Sequence, residues 1–500
     1  MSRSAISFDN SYLHQLPARF YHRQTASPVP AAELLLANTE LAAELGIDSD
    51  WLQSPQGIAV LAGNALAEGS EPIACAYAGH QFGNYNPQLG DGRALLLGEV
   101  IDIHGRRRDV QLKGSGPTLY SRNGDGKSPL GPVLREYLLS EAMHRLGVPT
   151  TRALAAISSG ETVYRERALP GGILCRIASS HIRAGTVQYV ASTGDEDALC
   201  QLLDYVIARH YPQASDDAHP YERLLDAVIE AQARLITHWQ SLGFIHGVMN
   251  TDNMLLCGET IDYGPCAFME AYHPGTVFSS IDRQGRYAFG NQPAIAQWNL
   301  VQLAQAILPV LRRDGESDLK PAVERAQDSL NAFTTQFFAS YRQHMADKLG
   351  LSHADEADQQ RYEAFLQQLQ DHDCDFTLGF RCLRDRAAQA GGLPIDDGID
   401  DLFALPEAFN DWLADWQQRL SQDGMTPAQR DTRMRRANPV FIPRNHQVEA
   451  AIAASYQGDH RRFFALNEVL QQPFDYRPAW REYALPARDE ERVEQTFCGT

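Results

Sequence analysis

The sequence predicts an α+β chain in which a strand-rich part precedes a helix-rich part. Three observations predict it. Short β-prone runs cluster between residues 93 and 179. From about residue 195 onward the apolar residues recur at helical spacing. Strands and helices come in blocks, with neither βαβα alternation nor an internal repeat.

The elements follow in order. After an aromatic-rich extended opening, "PAAELLLANTELAAELGI" (30–47) has helical periodicity with Pro at its start and Gly near its end, which predicts a helix. "RALLLGEVIDI" (93–103) and "RDVQLKGSG" (108–116) are strand runs, and "HGRRR" between them reads as a hairpin. "GPVLREYLLSEAMHRLG" (131–147) is a helix with Pro in its first turn and Gly at its end. "ETVYRER" and "GGILCRIAS" form another strand pair. The longest helix is "YERLLDAVIEAQARLITHWQSLG" (221–243), followed by periodic segments at 295–311, 318–349, 357–371, 404–421 and 446–455. "GGLPIDDGIDD" (391–401) is the clearest loop between helical blocks. The expected organisation is an N-terminal extension (1–75), a strand-rich unit (76–195), a helical unit (196–350) and a helical C-terminal extension (351–500).

Composition narrows the function. A hydrophobic content of 44% and a charged content of 21% fit a soluble globular chain. The net charge of −19 argues against nucleic acid or an anionic membrane as a bulk partner, because either needs a basic face. No apolar run approaches the roughly 18 residues of a membrane span. "MSRSAISFDNSYLHQLPARF" does not read as a signal peptide, so a cytoplasmic location is expected. The eight cysteines form no C-x-x-C and no zinc-finger spacing. Cys498, in "TFCGT", is expected to be an accessible thiol near a chain end. An incidental surface cysteine is the plain alternative.

Glycine-rich pieces suggest nucleotide chemistry without settling its type. "LGDGRALLLGEV" lacks the third Gly of a dinucleotide fingerprint and runs into a strand. "SRNGDGKS" (121–128) resembles a P-loop, but Ser121 stands at the first Gly position, and prolines at 129 and 132 interrupt the approach to the helix. The order of five features points elsewhere. A Gly-containing turn (89–100) precedes a strand lysine, Lys113. Glu136 follows on the next helix. A long helix then leads into "HGVMNTDNMLLCGETIDYGP" (246–265), with Asn253 and Asp262-Tyr263-Gly264. Protein kinases use a Gly-rich loop, a phosphate-binding Lys, its Glu partner, an Asn and the Asp of D-F-G in this order. Taken singly, each has a plain reading: a strand-edge lysine, an exposed helix charge, a turn aspartate.

One position departs from the kinase pattern. Five residues before Asn253, where the catalytic Asp belongs, stands Val248, which cannot take a proton. Asp252 is the only carboxylate in "HGVMNTDN" and is the candidate base; His246 reads better as a packing residue. An Asn carbonyl and an Asp carboxylate are hard oxygen ligands suited to Mg²⁺.

The stretches "AGHQFGNYNPQLGDGRALLLGE", "QLKGSGPTLYSRNGDGKSPLGPVLREYLLSEAMHRLGVPTTRAL", "HGVMNTDNM" and "IDYGPCAFME" resemble the selenoprotein O family of protein adenylyltransferases. The resemblance runs from "FDNSY" near residue 8 to the C-terminal cysteine. It implies a protein-kinase-like two-lobe fold carrying N- and C-terminal extensions. It also implies AMP transfer from ATP, bound in a flipped orientation, to Ser, Thr or Tyr hydroxyls of protein substrates, with release of pyrophosphate. Residue by residue, Gly90, Gly92 and Arg93 match the Gly-rich ATP contacts, and Asp125 and Gly126 match further ATP contacts. Lys113 matches the phosphate-binding lysine, with Glu136 as its ion-pair partner. Arg176 and Arg183 match phosphate-contacting arginines. Asp252 matches the proton acceptor, and Asn253 and Asp262 match the ligands of Mg²⁺ or Mn²⁺.

In eukaryotic members the third-from-last residue can be selenocysteine, so the resemblance also implies a redox role for Cys498. Cys266 is the candidate partner, although "HPGTVFSSIDRQGRY", where the partner is expected, has no cysteine. A monomer is expected. Three alternatives stay open: a kinase using Asp252 as base, UMP transfer from UTP with Mn²⁺, and a non-catalytic nucleotide-binding scaffold.

Overall fold

The structure, a computed structural model, describes residues 5–395 and 402–497. The chain is mixed α and β. Its antiparallel sheet has, among the described residues, eight strands. Across the sheet run Tyr21–Arg23, Ile73–Cys75, Ala94–Ile101, Arg107–Lys113, Ala168–Ala178, Arg152–Tyr164 and Glu33–Ala37, with Ser128–Pro129 pairing onto Ala168–Ala178. The expected hairpin is present: Asp102 Oδ1 accepts from the amides of His104 (2.9 Å) and Arg106 (2.8 Å), a side-chain-closed turn.

The central strands are covered on both faces. Val110 and Leu112 pack with Leu41, Leu52 and Leu61 of the N-terminal helices. Leu96 and Leu174 pack with Leu134 and Leu138 of the Leu130–Arg145 helix. Strand alternation puts Gln111 and Lys113 on the face opposite Val110 and Leu112. The register pairs Gln111 with Arg176 and Lys113 with Leu174. Two cationic side chains therefore emerge side by side beneath the Leu130–Arg145 helix that carries Glu136.

One expected helix is corrected. Residues 30–47 split into a strand, Glu33–Ala37, and a short helix, Thr39–Glu44. The strand pairs with Arg152–Tyr164. Asn38 caps the helix, its Oδ1 accepting from the Leu41 amide at 3.0 Å. Sheet pairing outweighs the helical preference of the Leu-rich run, and the Asn stops propagation backwards.

The helical part is built on Pro220–Leu242 and Lys320–Leu349. Gly243, with φ of +73°, ends the first helix in the left-handed conformation that only Gly adopts readily. The next residues, Phe244 and Ile245, pair with Phe268 and Ala267. That two-stranded neck closes residues 246–266 into one loop, so "HGVMNTDN" and "DYG" share an anchorage.

The apolar-run expectation also needs correction. Phe289–Leu311 is long and apolar enough to cross a membrane, with a mean hydropathy of 1.3. Here Ala296, Leu300, Leu303 and Ile307 are spent on the protein's own core. Of the predicted loop 391–401, residues 396–401 lie outside the described residues.

Candidate active site

A cleft of about 500 Å³ lies between the sheet and the 246–266 loop. Lys113 and Arg176 rise from its strand wall. Lys113 Nζ is 2.5 Å from Glu136 Oε2 and 2.6 Å from Asp262 Oδ1. Arg176, 1% exposed, places Nη1 at 2.9 Å from both Glu136 Oε1 and Asp262 Oδ1. Gln111 Oε1 accepts from Arg176 Nε at 3.2 Å and Nη2 at 2.5 Å, which holds the guanidinium in plane. Arg183, just before the Ala184–Ser192 helix, puts Nη1 at 3.0 Å from Asp262 Oδ2. Its guanidinium also lies over the Tyr77 ring, 4.7 Å from the centroid.

Three cations thus converge on one carboxylate. Burial opposes the charge of Asp262, but Lys113, Arg176 and Arg183 outweigh it and hold the carboxyl well below its usual range. Asp262 has φ of +65°, a left-handed conformation uncommon outside Gly. Such strain persists where the surroundings over-determine it, and here three salt bridges do so.

The opposite wall is the loop. Asn253 Nδ2 donates to the Val248 carbonyl at 2.9 Å, leaving the amide oxygen as the end that could ligate. His246 packs rather than reacts. Its Nε2–H donates to the Ile261 carbonyl (2.8 Å), Nδ1 accepts from the Val248 amide (3.3 Å), and the ring stacks on Trp239. Asp252 is 7% exposed; Oδ2 accepts from Gln81 Nε2 at 3.0 Å, and Oδ1 is buried without a partner. Burial pushes its carboxyl up to about 6, against the opposing pull of Gln81 and Arg183.

Gly90, Gly92, Arg93, Asp125 and Gly126 line the same cleft as Lys113, Glu136, Arg176, Arg183, Asp252, Asn253 and Asp262. Gly90 has φ of +98°, and a Cβ there would meet the Tyr120 ring at 2.4 Å. Asp125 is at the exposed rim, its Oδ2 2.8 Å from Arg165 Nη1. A family model described as protein adenylyltransferase SelO matches residues 4–471. The chain belongs to the SelO family.

Among SelO relatives, the protein nucleotidyltransferase YdiU of Nitrobacter hamburgensis is 52% identical over 495 residues, covering 99% of this chain and 96% of the relative. That of Rhizobium rhizogenes is 52% identical over 502 residues, covering 99% and 97%. That of Bradyrhizobium sp. strain ORS 278 is 52% identical over 494 residues, covering 99% of each. The SelO chain is an enzyme of the nucleotidyltransferase class.

The SelO cleft fits a divalent metal of the hard kind. Asp262 and Asn253 offer oxygen donors in a cleft that Asp252 also lines. Among the described residues no group of three or more His, Cys, Asp or Glu side chains could hold a metal.

Sequence reasoning missed the support of the SelO loop. The hairpin of Gly79–Gln81 and Asn84–Asn86 straps it down. The His80 amide donates to Thr251 Oγ1 (2.7 Å), Gln81 to Asp252, and the Phe82 amide to Asn250 Oδ1 (3.0 Å). A Cβ on Gly79 would stand 2.6 Å from Asp252 Oδ1. Only the Gly in "AGHQFGNYN" hinted at such an approach. Asp91 was missed as well: it is 3% exposed, accepts from the Cys75 amide at 3.1 Å and is pushed up by burial. Cys266 is buried, with Sγ 3.3 Å from the Tyr263 carbonyl. Cys498 lies outside the described residues.

Proposed function

We propose that this protein is a kinase-like, two-lobed adenylyltransferase that moves AMP from ATP onto Ser, Thr or Tyr hydroxyls of other proteins. The observation that carries the proposal is the pairing of three cations around Asp262 with a protonatable, half-satisfied Asp252 on the facing loop. The leaving group in AMP transfer is pyrophosphate, which is highly anionic. Arg176 and Arg183 can donate in planar, bidentate fashion and Lys113 supplies a point charge. Together they would hold the β- and γ-phosphates and leave the α-phosphorus open.

Asp252 would then take the proton of the acceptor hydroxyl. A carboxyl pushed up to about 6 is mostly ionised at neutral pH and more basic than a free aspartate. The hydroxyl oxygen bonds to the α-phosphorus, the bond to the β-phosphate bridging oxygen breaks, and pyrophosphate departs. Mg²⁺ or Mn²⁺, held by Asn253 and Asp262, would neutralise phosphate charge and polarise the α-phosphoryl group. Val248 supports this reading over a kinase: no proton acceptor stands where a kinase needs one.

The domain organisation proposed is strand-rich 76–195 and helical 196–350, flanked by extensions, in a cytoplasmic monomer with neither nucleic acid nor membrane as partner. The relatives are protein nucleotidyltransferases, a class that leaves the base open, so ATP and UTP are compared directly. Purified protein is incubated with an equimolar mixture, Mg²⁺ or Mn²⁺ and a protein acceptor, and the intact acceptor mass is read. An AMP-sized gain with pyrophosphate release is expected. A UMP-sized gain alone would replace ATP by UTP, and a phosphate-sized gain would make the protein a kinase.

A further inference from the structure

A second cavity, of about 1010 Å³, opens where the ends of Pro220–Leu242 and Lys320–Leu349 meet the Pro427–Ala437 helix. It shares no lining residue with the cleft. Lys348 lines it and is 2% exposed. An ammonium can donate three hydrogen bonds. This one has a single long bond, to the Ala437 carbonyl at 3.3 Å, and no ion pair among the described residues. The Phe380 and Phe376 rings, 4.3 and 5.4 Å from Nζ, offset only part of the lost hydration. Burial accordingly pushes the ammonium down to about 7.

Every charged or titratable group facing the cavity bears on what it would take. His238 and His344 meet edge-on at 4.5 Å between centroids; burial pushes both down to about 4, so they are neutral near pH 7. Asp347, the one acid, is already engaged: its Oδ1 accepts from Gln343 at 2.9 Å and sits 3.4 Å from Arg433. Arg436, exposed, adds a cation on the same helix as Arg433. Leu146, Leu242 and Met425 make part of the lining apolar. Two arginines, Arg433 paired with Asp347 and Arg436 exposed, beside a buried amine short of acceptors favour an anionic occupant.

We propose that this cavity is a second ligand site, taking a small organic anion with a phosphate or carboxylate on an apolar body, its acidic group held by Lys348. Phenyl phosphate and benzoate separate the two headgroups on one body, with benzyl alcohol as the neutral control. Each is titrated calorimetrically into the full chain, into Lys348→Met and into the cleft variant Lys113→Met, after thermal melts show each variant folded. At least one anion should bind the wild type and Lys113→Met alike, and weaken by about tenfold or more in Lys348→Met, the loss of one charge-assisted contact. Benzyl alcohol should not bind.

Should Lys348→Met not fold, the pH series on the wild type decides. Benzoate affinity should fall by about tenfold per pH unit above pH ~7 as Lys348 loses its proton, since both histidines are pushed down to about 4. The proposal is overturned if neither anion binds at about 10 mM. It is equally overturned if binding survives in Lys348→Met, if it is lost in Lys113→Met instead, or if it ignores pH.

Discussion

The two walls of the cleft are built on opposite principles. The strand wall carries its functional groups on regular elements: Lys113 and Arg176 stand on adjacent strands in fixed register, and Glu136 sits on a buried helix. The loop wall carries Asp252, Asn253 and Asp262 on irregular backbone pinned by a two-residue neck, a hairpin strap and one strained dihedral. Lys113 and Arg176 sit where the scaffold is regular, and Asp252, Asn253 and Asp262 sit where the backbone is shaped by its neighbours. Asp262 and Asp252 show the consequence. The first is held ionised by Lys113, Arg176 and Arg183, while burial outweighs the pull of Gln81 and Arg183 on the second and pushes it up to about 6.

The largest effect expected is at the point where the walls meet. Asp262→Ala should lower turnover by about 10³-fold or more, since Asp262 anchors three cations and, in the proposed reaction, holds the metal. Near-normal turnover in a folded variant would break the comparison. Metal titration followed by Mn²⁺ electron paramagnetic resonance, with nucleotide bound, should show the lost affinity directly.

Next come the two arginines that pair with Asp262. Arg176→Ala and Arg183→Ala should each cost about 10²–10³ in rate by removing charge from the leaving-group side. They should differ in stability. Arg176 joins Gln111, Glu136 and Asp262 beneath the sheet, so its loss should also cost about 3–5 kcal/mol of folding free energy, read by denaturant melts.

The loop wall should respond through pH. If Asp252 acts as base, activity rises as pH passes through about 6 and is flat above it. Its folded-state value lies above the unfolded one, so the native state binds the extra proton. The contribution of Asp252 to stability is therefore greatest below about pH 4 and falls between about pH 4 and 6, by up to about 3 kcal/mol. Asp252→Asn should then inactivate by about 10²–10⁴ and yet raise the melting temperature at pH 7. A variant that is inactive and less stable would contradict this.

The smallest effect concerns Gln81. Its amide favours the ionised form of Asp252, so Gln81→Leu should move the acid limb of the pH profile upward by under about one unit, with little change in KM. An unmoved limb would mean that the strap only packs.

Legibility followed the same division. Lys113 and Glu136 were readable from their order on a strand and the following helix, and Arg176 only through the family resemblance. Asn253 and Asp262 were readable as a motif with fixed spacing. The strap at 79–86 was not, since its contacts run from backbone amides to side chains some 170 positions away, which no local pattern encodes. Phe376–Ala390 escaped as a helix because Arg381, Arg384 and Asp385 are buried within it and interrupt its apolar period. Glu33–Ala37 escaped for the converse reason: a helix-favouring run was recruited to a sheet edge.

The account's central claim is that the strand wall holds the β- and γ-phosphates so that the α-phosphorus is attacked. Parallel reactions with α-labelled and γ-labelled ATP, Mg²⁺ or Mn²⁺ and a protein acceptor measure this, alongside Val248→Asp, which restores the kinase base without altering Lys113, Arg176 or Arg183. The account predicts that protein takes label from the α position only, in the wild type, and that Val248→Asp gains no transfer from the γ position. Label reaching protein from γ-labelled ATP in either chain would contradict it.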